Sequence, residues 1–255
     1  GPLPKPYPHA AMKSRDGDRV RRGGKIRPSG RNLAVRVRTA RRRKSSSTRW
    51  LQRQLNDPYV VAAKRDSYRS RAAYKLLQLD EKFGLFKRGQ TVVDLGAAPG
   101  GWTQVLAQIL GPSGTILAVD VAEIEPIGGC KTLIGDVMDL ETETAIRKAL
   151  KGPVNFVVSD IAPSATGHRT TDHIRIIALA EAALELARGV LGLGGGFVAK
   201  VWQGGSEQNL LADLKRDFAQ VRHAKPQASR AGSAEMYVVA TGYRGKFQQQ
   251  DSGEG

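Results

Sequence analysis

The run Thr91-Val92-Val93-Asp94-Leu95-Gly96-Ala97-Ala98-Pro99-Gly100-Gly101-Trp102 joins a β-branched apolar segment to an acidic residue, a glycine-rich turn and a helix start. A short apolar run that breaks at Gly96 predicts a buried parallel strand feeding a ligand-binding loop. Gly96, Gly100 and Gly101 lack Cβ atoms, which suits backbone that turns with positive φ or approaches a ligand. The loop departs from the G-x-G-x-x-G dinucleotide fingerprint: Ala97 holds no glycine's place, and Ala98-Pro99 stiffens the turn. Pro99 has no N–H to offer a pyrophosphate. The ligand implied is a nucleoside without a bridging phosphate, and S-adenosylmethionine (SAM) is the foremost candidate.

Outward from this loop, apolar runs alternate with helical patterns. Strands are expected near 91–95, 115–119, 132–135, 154–159, 196–201, 220–224 and 235–241. Helices are expected at 101–110, 141–150, 172–191 and 206–218, preceded by an amphipathic helix over 69–83 and one or two short helices within 51–66. That alternation predicts a Rossmann-like α/β fold, a doubly wound and mostly parallel seven-stranded sheet with helices on both faces. Ligands in such sheets sit beyond the carboxyl ends of the strands, where Gly96, Asp120, Asp136 and Asp160 all fall. No internal repeat is visible.

The net charge of +16 is unevenly placed. Residues 1–53 carry 17 Lys/Arg against Asp16 and Asp18 alone, while residues 54–255 carry 23 Lys/Arg against 22 Asp/Glu. The chain therefore divides into a basic arm (1–53), a near-neutral globular domain (54–245) and a disordered tail (246–255). The arm is rich in Arg, Gly, Ser and Pro and cannot bury enough apolar surface to offset ordering, so it reads as disordered when free. Its chemistry suits a polyphosphate backbone, bound with salt-sensitive and largely sequence-blind affinity. Gly1–Ala11 reads as a cloning remnant before a native start at Met12.

An organellar transit peptide ranks second for the arm, because Gly23-Gly24 and Pro28 interrupt any amphipathic helix. A cytoplasmic location is expected, with a mitochondrial one as the alternative. The most apolar stretch, Ile176–Trp202, is broken by Glu181, Glu185, Arg188 and a glycine cluster, so no membrane span is expected. Cys130 stands alone, which excludes a disulfide framework and predicts a buried structural thiol. Four scattered histidines show no ligand spacing, and no metal is expected.

Asp120 ends the second strand, where a carboxylate can accept hydrogen bonds from ribose hydroxyls. Asp136 ends the third and can accept from an adenine amine. Trp102 reads equally as a cover on the cofactor and as packing behind the loop. Asp160 ends the next strand, at the position that borders the cofactor's reactive end. Lys200 lies among Phe197, Val198, Ala199, Val201 and Trp202, where an ammonium is costly to bury without partners. On its own it also reads as a lysine snorkelling past the sheet end. Lys75 lies on the helix whose apolar face includes Ala72, Leu76 and Leu79, and Glu235 begins an otherwise apolar strand. Together these four predict two lysines and two carboxylates sharing one cleft.

On these residues the chain resembles the FtsJ/RrmJ family of SAM-dependent ribose 2′-O-methyltransferases, and within it the RlmE-type enzymes of large-subunit ribosomal RNA. The matching stretches are Asp57–Val60, Arg69–Leu76, Asp94–Trp102, Ser159–Pro163, Lys200–Gly204, Lys225–Arg230 and Glu235–Tyr237. The resemblance spans roughly 55–245 and implies a class I SAM-dependent methyltransferase fold. It places the family's catalytic tetrad on Lys75, Asp160, Lys200 and Glu235. It places SAM contacts on Gly100, Trp102, Asp120, Asp136 and Asp160, within the loop that Gly96 and Gly101 complete. RNA contacts are expected at Arg69, Arg71, Lys225 and Arg230. The implied substrate is a uridine ribose of large-subunit rRNA in the assembled or nearly assembled subunit, and the implied enzyme is a monomer.

A ribose 2′-hydroxyl is a poor nucleophile at neutral pH, so the enzyme must position it and manage its proton. Lys200 is a candidate general base if its pKa is depressed, with Lys75 as the neighbouring cation and Phe197 and Trp202 excluding water. The rival role keeps Lys200 protonated, stabilising the forming alkoxide. Asp160 would orient the Lys200 amine, and Glu235 would hold the substrate ribose or Lys75. A hydride-transferring oxidoreductase would need the missing dinucleotide fingerprint. A base methyltransferase would need an N-P-P-Y-type clamp where Ile161-Ala162-Pro163-Ser164 stands. A tRNA ribose 2′-O-methyltransferase and a non-catalytic RNA-binding protein on the same fold remain as alternatives.

Overall fold

The computed structural model describes residues 51–245 apart from 53, 164–165 and 205–206. Of the basic arm only Leu51 and Gln52 are described, both helical; the rest of the arm and the tail, with the expectations attached to them, lie outside the described residues. Seven strands form one sheet: β1 (Thr91–Leu95), β2 (Thr115–Asp120), β3 (Cys130–Ile134), β4 (Val154–Ser159), β5 (Leu191–Trp202), β6 (Phe218–Ala224) and β7 (Glu235–Tyr243). Helices with bounds among the described residues are α1 (Pro58–Arg65), α2 (Ala73–Phe83), α3 (Gly101–Leu110), α4 (Leu140–Ala149), α5 (Arg169–Val190) and α6 (Gln208–Asp217).

Strand order is β3-β2-β1-β4-β5-β7-β6. The first five are parallel, and β7 runs antiparallel to both β5 and β6. The order reverses between β1 and β4, so a crevice opens beyond their carboxyl ends.

Side chains alternate faces along each strand, and the core divides accordingly. Val92, Phe156, Val158, Val198, Tyr237 and Val239 pack with α1–α3 on one face. Val93, Leu95, Val157, Phe197, Val201 and Ala240 pack with α4–α6 on the other. β1 is therefore buried on both sides, Val92, Val93 and Leu95 together with the acid Asp94.

Several boundaries differ from expectation. The helix expected over 69–83 begins at Ala73, because Ser67 adopts φ 61° and the chain turns there, laying 67–70 across α3. β5 starts at Leu191 rather than near 196, and β6 starts at Phe218, directly where α6 ends. Cys130, expected to be buried, is only half-buried at the start of the edge strand β3.

Candidate active site

Strand alternation decides which side chains meet. Lys200 shares the face of Val198, towards α1–α3. In the antiparallel ladder Lys200 lies opposite Tyr237 and Trp202 opposite Glu235, so Glu235 and Tyr237 emerge on the same face. α2 lays the buried Lys75 over that face. Its Nζ lies 2.8 Å from Glu235 Oε1 and 2.9 Å from Oε2. Lys200 Nζ lies 2.9 Å from Asp160 Oδ1, 3.1 Å from the Asp160 carbonyl and 3.6 Å from Glu235 Oε2. The four residues thus form one unbroken chain of charges, Lys75–Glu235–Lys200–Asp160.

Two further residues complete it. The Tyr237 hydroxyl donates to Asp160 Oδ1 at 2.5 Å, and its ring packs against Trp102 with 5.7 Å between centroids. The buried Ser229 hydroxyl donates to Glu235 Oε1 at 2.6 Å. Tyr237 was legible as an i+2 neighbour of Glu235 on one strand face. Ser229 sits in an irregular loop whose sequence gives no period to read.

The electrostatics follow from burial and pairing. Desolvation alone would lower the Lys200 pKa, but Asp160 and Glu235 outweigh it and hold the group above the ordinary lysine value. Burial would raise the Glu235 carboxyl, yet Lys75, Lys200 and Ser229 bring it down to about 2. The expected pKa depression at Lys200 is therefore absent in the free protein: Lys75 pairs with the intervening carboxylate instead of confronting Lys200. Phe197, expected to desolvate Lys200, faces the other layer and stacks on Phe218.

Beside Asp160 opens a cleft of about 550 Å³, lined by Gly96, Asp120, Asp136, Asp160 and Ile161 among others. Asp120 accepts the amides of Ala98 and Ala122, each at 2.9 Å, which fixes its carboxylate at the mouth of the glycine turn. Asp136 accepts the Met138 amide at 2.9 Å. Both retain lone pairs for a ligand. Gly96 has φ +69°, and a Cβ there would lie 2.5 Å from Ile161 Cγ1. A Cβ on Gly101 would lie 2.4 Å from Ser70 Oγ. At both positions it is neighbouring protein, more directly than a ligand, that excludes a side chain.

The Trp102 indole is buried, and its Nε1 donates to the Ala72 carbonyl at 2.8 Å. It packs behind the loop, and Gly100, Gly101 and Trp102 are not among the residues that line the cleft. Three carboxylates around the cleft suit a cationic nucleoside and disfavour a polyphosphate, so the residues present fit SAM. Among the described residues, no group of three or more His, Cys, Asp or Glu is arranged to hold a metal ion. No helix among them is long and apolar enough to cross a membrane.

The four cations expected to meet RNA already have partners within the chain. Arg69 donates to the carbonyls of Pro99, Glu125 and Pro126. Arg71 pairs with Asp57 at 2.9 Å and donates to the Ala228 carbonyl. Lys225 donates to the carbonyls of Ala231 and Ser233. Arg230, more exposed than Arg71, lies 3.7 Å from Asp57.

Comparison with known proteins adds the following. The family model for FtsJ-like methyltransferases matches residues 68–243. A protein of Paramagnetospirillum magneticum named ribosomal RNA large subunit methyltransferase E is 57% identical over 228 residues, covering 87% of this chain and 93% of its own. A protein of the same name from Xanthobacter autotrophicus is 57% identical, covering 86% of this chain and 87% of its own. A crystal structure from Plasmodium falciparum, described as a ribosomal RNA methyltransferase, superposes with a TM-score of 0.63 at 26% identity, covering 70% of this chain and 100% of its own.

Proposed function

The chain belongs to the FtsJ-like methyltransferase family, and from that premise we propose that it methylates a ribose 2′-hydroxyl of large-subunit ribosomal RNA. The site is a uridine presented by the assembled or nearly assembled subunit, and the enzyme works as a cytoplasmic monomer. SAM is the methyl donor. The observation that carries this reading is the continuous Lys75–Glu235–Lys200–Asp160 chain at the edge of an acidic nucleoside cleft.

Asp120, Asp136 and Asp160 would hold SAM, which when bound supplies a methyl group made electrophilic by its sulfonium. Lys200 enters the reaction as an ammonium, because Asp160 and Glu235 hold its proton. Its Nζ donates to the 2′-oxygen and fixes the lone pair that attacks. Among the described residues nothing bonds Asp160 Oδ2, and that oxygen takes the proton the ribose loses. Lys75 and Ser229 hold Glu235 in place, and Tyr237 holds Asp160.

The protein's small charge excess outside the arm favours a substrate already shaped by the ribosome over naked RNA. Incubation with tritiated SAM and, in parallel, large subunits lacking the modification, free rRNA and tRNA tests this directly. Label is expected on large subunits first and free rRNA weakly. Label on tRNA with none on large subunits would move the assignment to a tRNA enzyme.

A further inference from the structure

Arg69 stands in a stretch, Ser67–Ser70, that crosses the glycine loop from outside. The stretch is anchored on α3 by two glutamines one helical turn apart. Gln104 accepts the Arg69 amide at 2.8 Å and donates to the Ser67 carbonyl at 3.0 Å, while Gln108 accepts the Tyr68 hydroxyl at 2.8 Å. From that anchor the Arg69 guanidinium reaches two separate segments. Nη1 donates to Pro99 at 3.1 Å in the glycine loop and to Glu125 at 2.6 Å, and Nη2 donates to Pro126 at 2.9 Å in the β2–β3 connection.

These two segments frame the cofactor cleft. The 121–129 connection leaves directly from Asp120, and its Ile124 is buried against Ala97, Ala98 and Ala118. The packing is close: a Cβ on Gly100 would lie 2.8 Å from Ile127 Cδ1 and 3.1 Å from Arg69 Nη1. A planar guanidinium with several fixed donors can bridge carbonyls on separate segments in a way that a single ammonium cannot.

We propose that Arg69 is a positioning residue of the cofactor site, a clasp that holds the 121–129 connection against the glycine loop and so sets the orientation of Asp120. It acts without touching the ligand, and both of its terminal nitrogens are committed to this task rather than to an RNA phosphate. The proposal rests on the reading of the cleft as a SAM site, and the wild-type protein tests that premise separately.

The experiment is calorimetric titration of the full chain with SAM in the absence of RNA, on wild type, Arg69→Ala and Arg69→Lys. Melting temperature and amide hydrogen exchange are measured on the same samples. Wild type is expected to bind. Both variants are expected to melt close to wild type, to lose affinity for SAM about tenfold or more, and to exchange faster over 121–129. Lysine does not rescue, because one ammonium cannot serve both segments. SAM affinity within about twofold of wild type in both variants would overturn the clasp, as would a loss confined to RNA binding. Rescue by lysine would reduce Arg69 to a simple charge. Failure of the wild type itself to bind SAM would instead sink the assignment of the cleft. If Arg69→Ala does not fold, the Arg69→Lys comparison decides alone.

Discussion

Lys75 and Lys200 share one carboxylate: Glu235 lies 2.8 Å from the first ammonium and 3.6 Å from the second. Two buried cations are tolerated this close only because an anion stands between them, itself held by Ser229. Removing that anion as Glu235→Ala leaves the ammonium groups facing each other, at an expected cost of about 3–5 kcal/mol at neutral pH. The loss should shrink as pH rises, because a lysine deprived of its carboxylate gives up its proton more easily. Denaturant melts at several pH values check this, and wild-type stability at pH 7 would contradict it.

Substituting Lys200→Ala should abolish methyl transfer and leave SAM affinity within a few-fold of wild type, since the proposed role of Lys200 is on the ribose oxygen and not on the cofactor. Asp160→Ala should lose both, because that carboxylate lines the cleft and binds Lys200. Labelled-methyl assays and calorimetry on the two variants separate these outcomes. Activity retained in Lys200→Ala would remove lysine from the mechanism.

The pH dependence follows from the sign of the Lys200 shift. Its pKa is raised, so the ammonium persists through neutral pH and is lost only in strong alkali. With Lys200 acting as a cation, the single-turnover rate should stay level from about pH 7 to 9 and fall above the raised lysine pKa. A rate that climbs with pH through that window would hand Lys200 the role of general base.

Much of this site was legible before the structure. Short apolar runs marked the strands, and acidic residues at strand ends marked the cleft, because a parallel sheet puts its ligands there. Lys75 and Lys200 stood out as cations in apolar surroundings. What was hidden depends on contacts between distant segments. The turn at Ser67 sends Arg69 back over the glycine loop, and no local pattern announces the carbonyls it meets. The fate of Lys200 was equally hidden, since its pKa depends on which carboxylates arrive beside it.

Asp94 carries a pH signature of its own. It is buried, its carboxyl is pushed up to about 7 by desolvation, and Thr103 Oγ1 donates to it at 2.7 Å. An acid whose folded pKa lies above its unfolded value penalises folding increasingly from about pH 4 to 7 and by a constant amount beyond. Asp94→Asn keeps an acceptor for Thr103 and removes the charge. It should stabilise the protein by roughly 2–4 kcal/mol at pH 8 and hardly at all at pH 4. Equal effects at both pH values would contradict a raised pKa.

Removing residues 1–53 takes away 17 Lys/Arg and two Asp and leaves every described site residue in place. The truncated domain should fold and bind SAM as before. Its RNA affinity should fall, and log K should depend less steeply on log[salt], because fewer counterions are released. The loss should be similar for cognate and unrelated RNA. Binding curves at several salt concentrations measure this, and an unchanged slope would deny the arm any grip on RNA.

The central claim is that the tetrad directs a methyl group to a ribose oxygen rather than to a base. Large subunits methylated by the wild-type enzyme with labelled SAM are digested to nucleosides and resolved by liquid chromatography and mass spectrometry. The expected product is 2′-O-methyluridine at a single position, missing when Lys200→Ala replaces the wild type. Label on a base-methylated nucleoside would contradict the account.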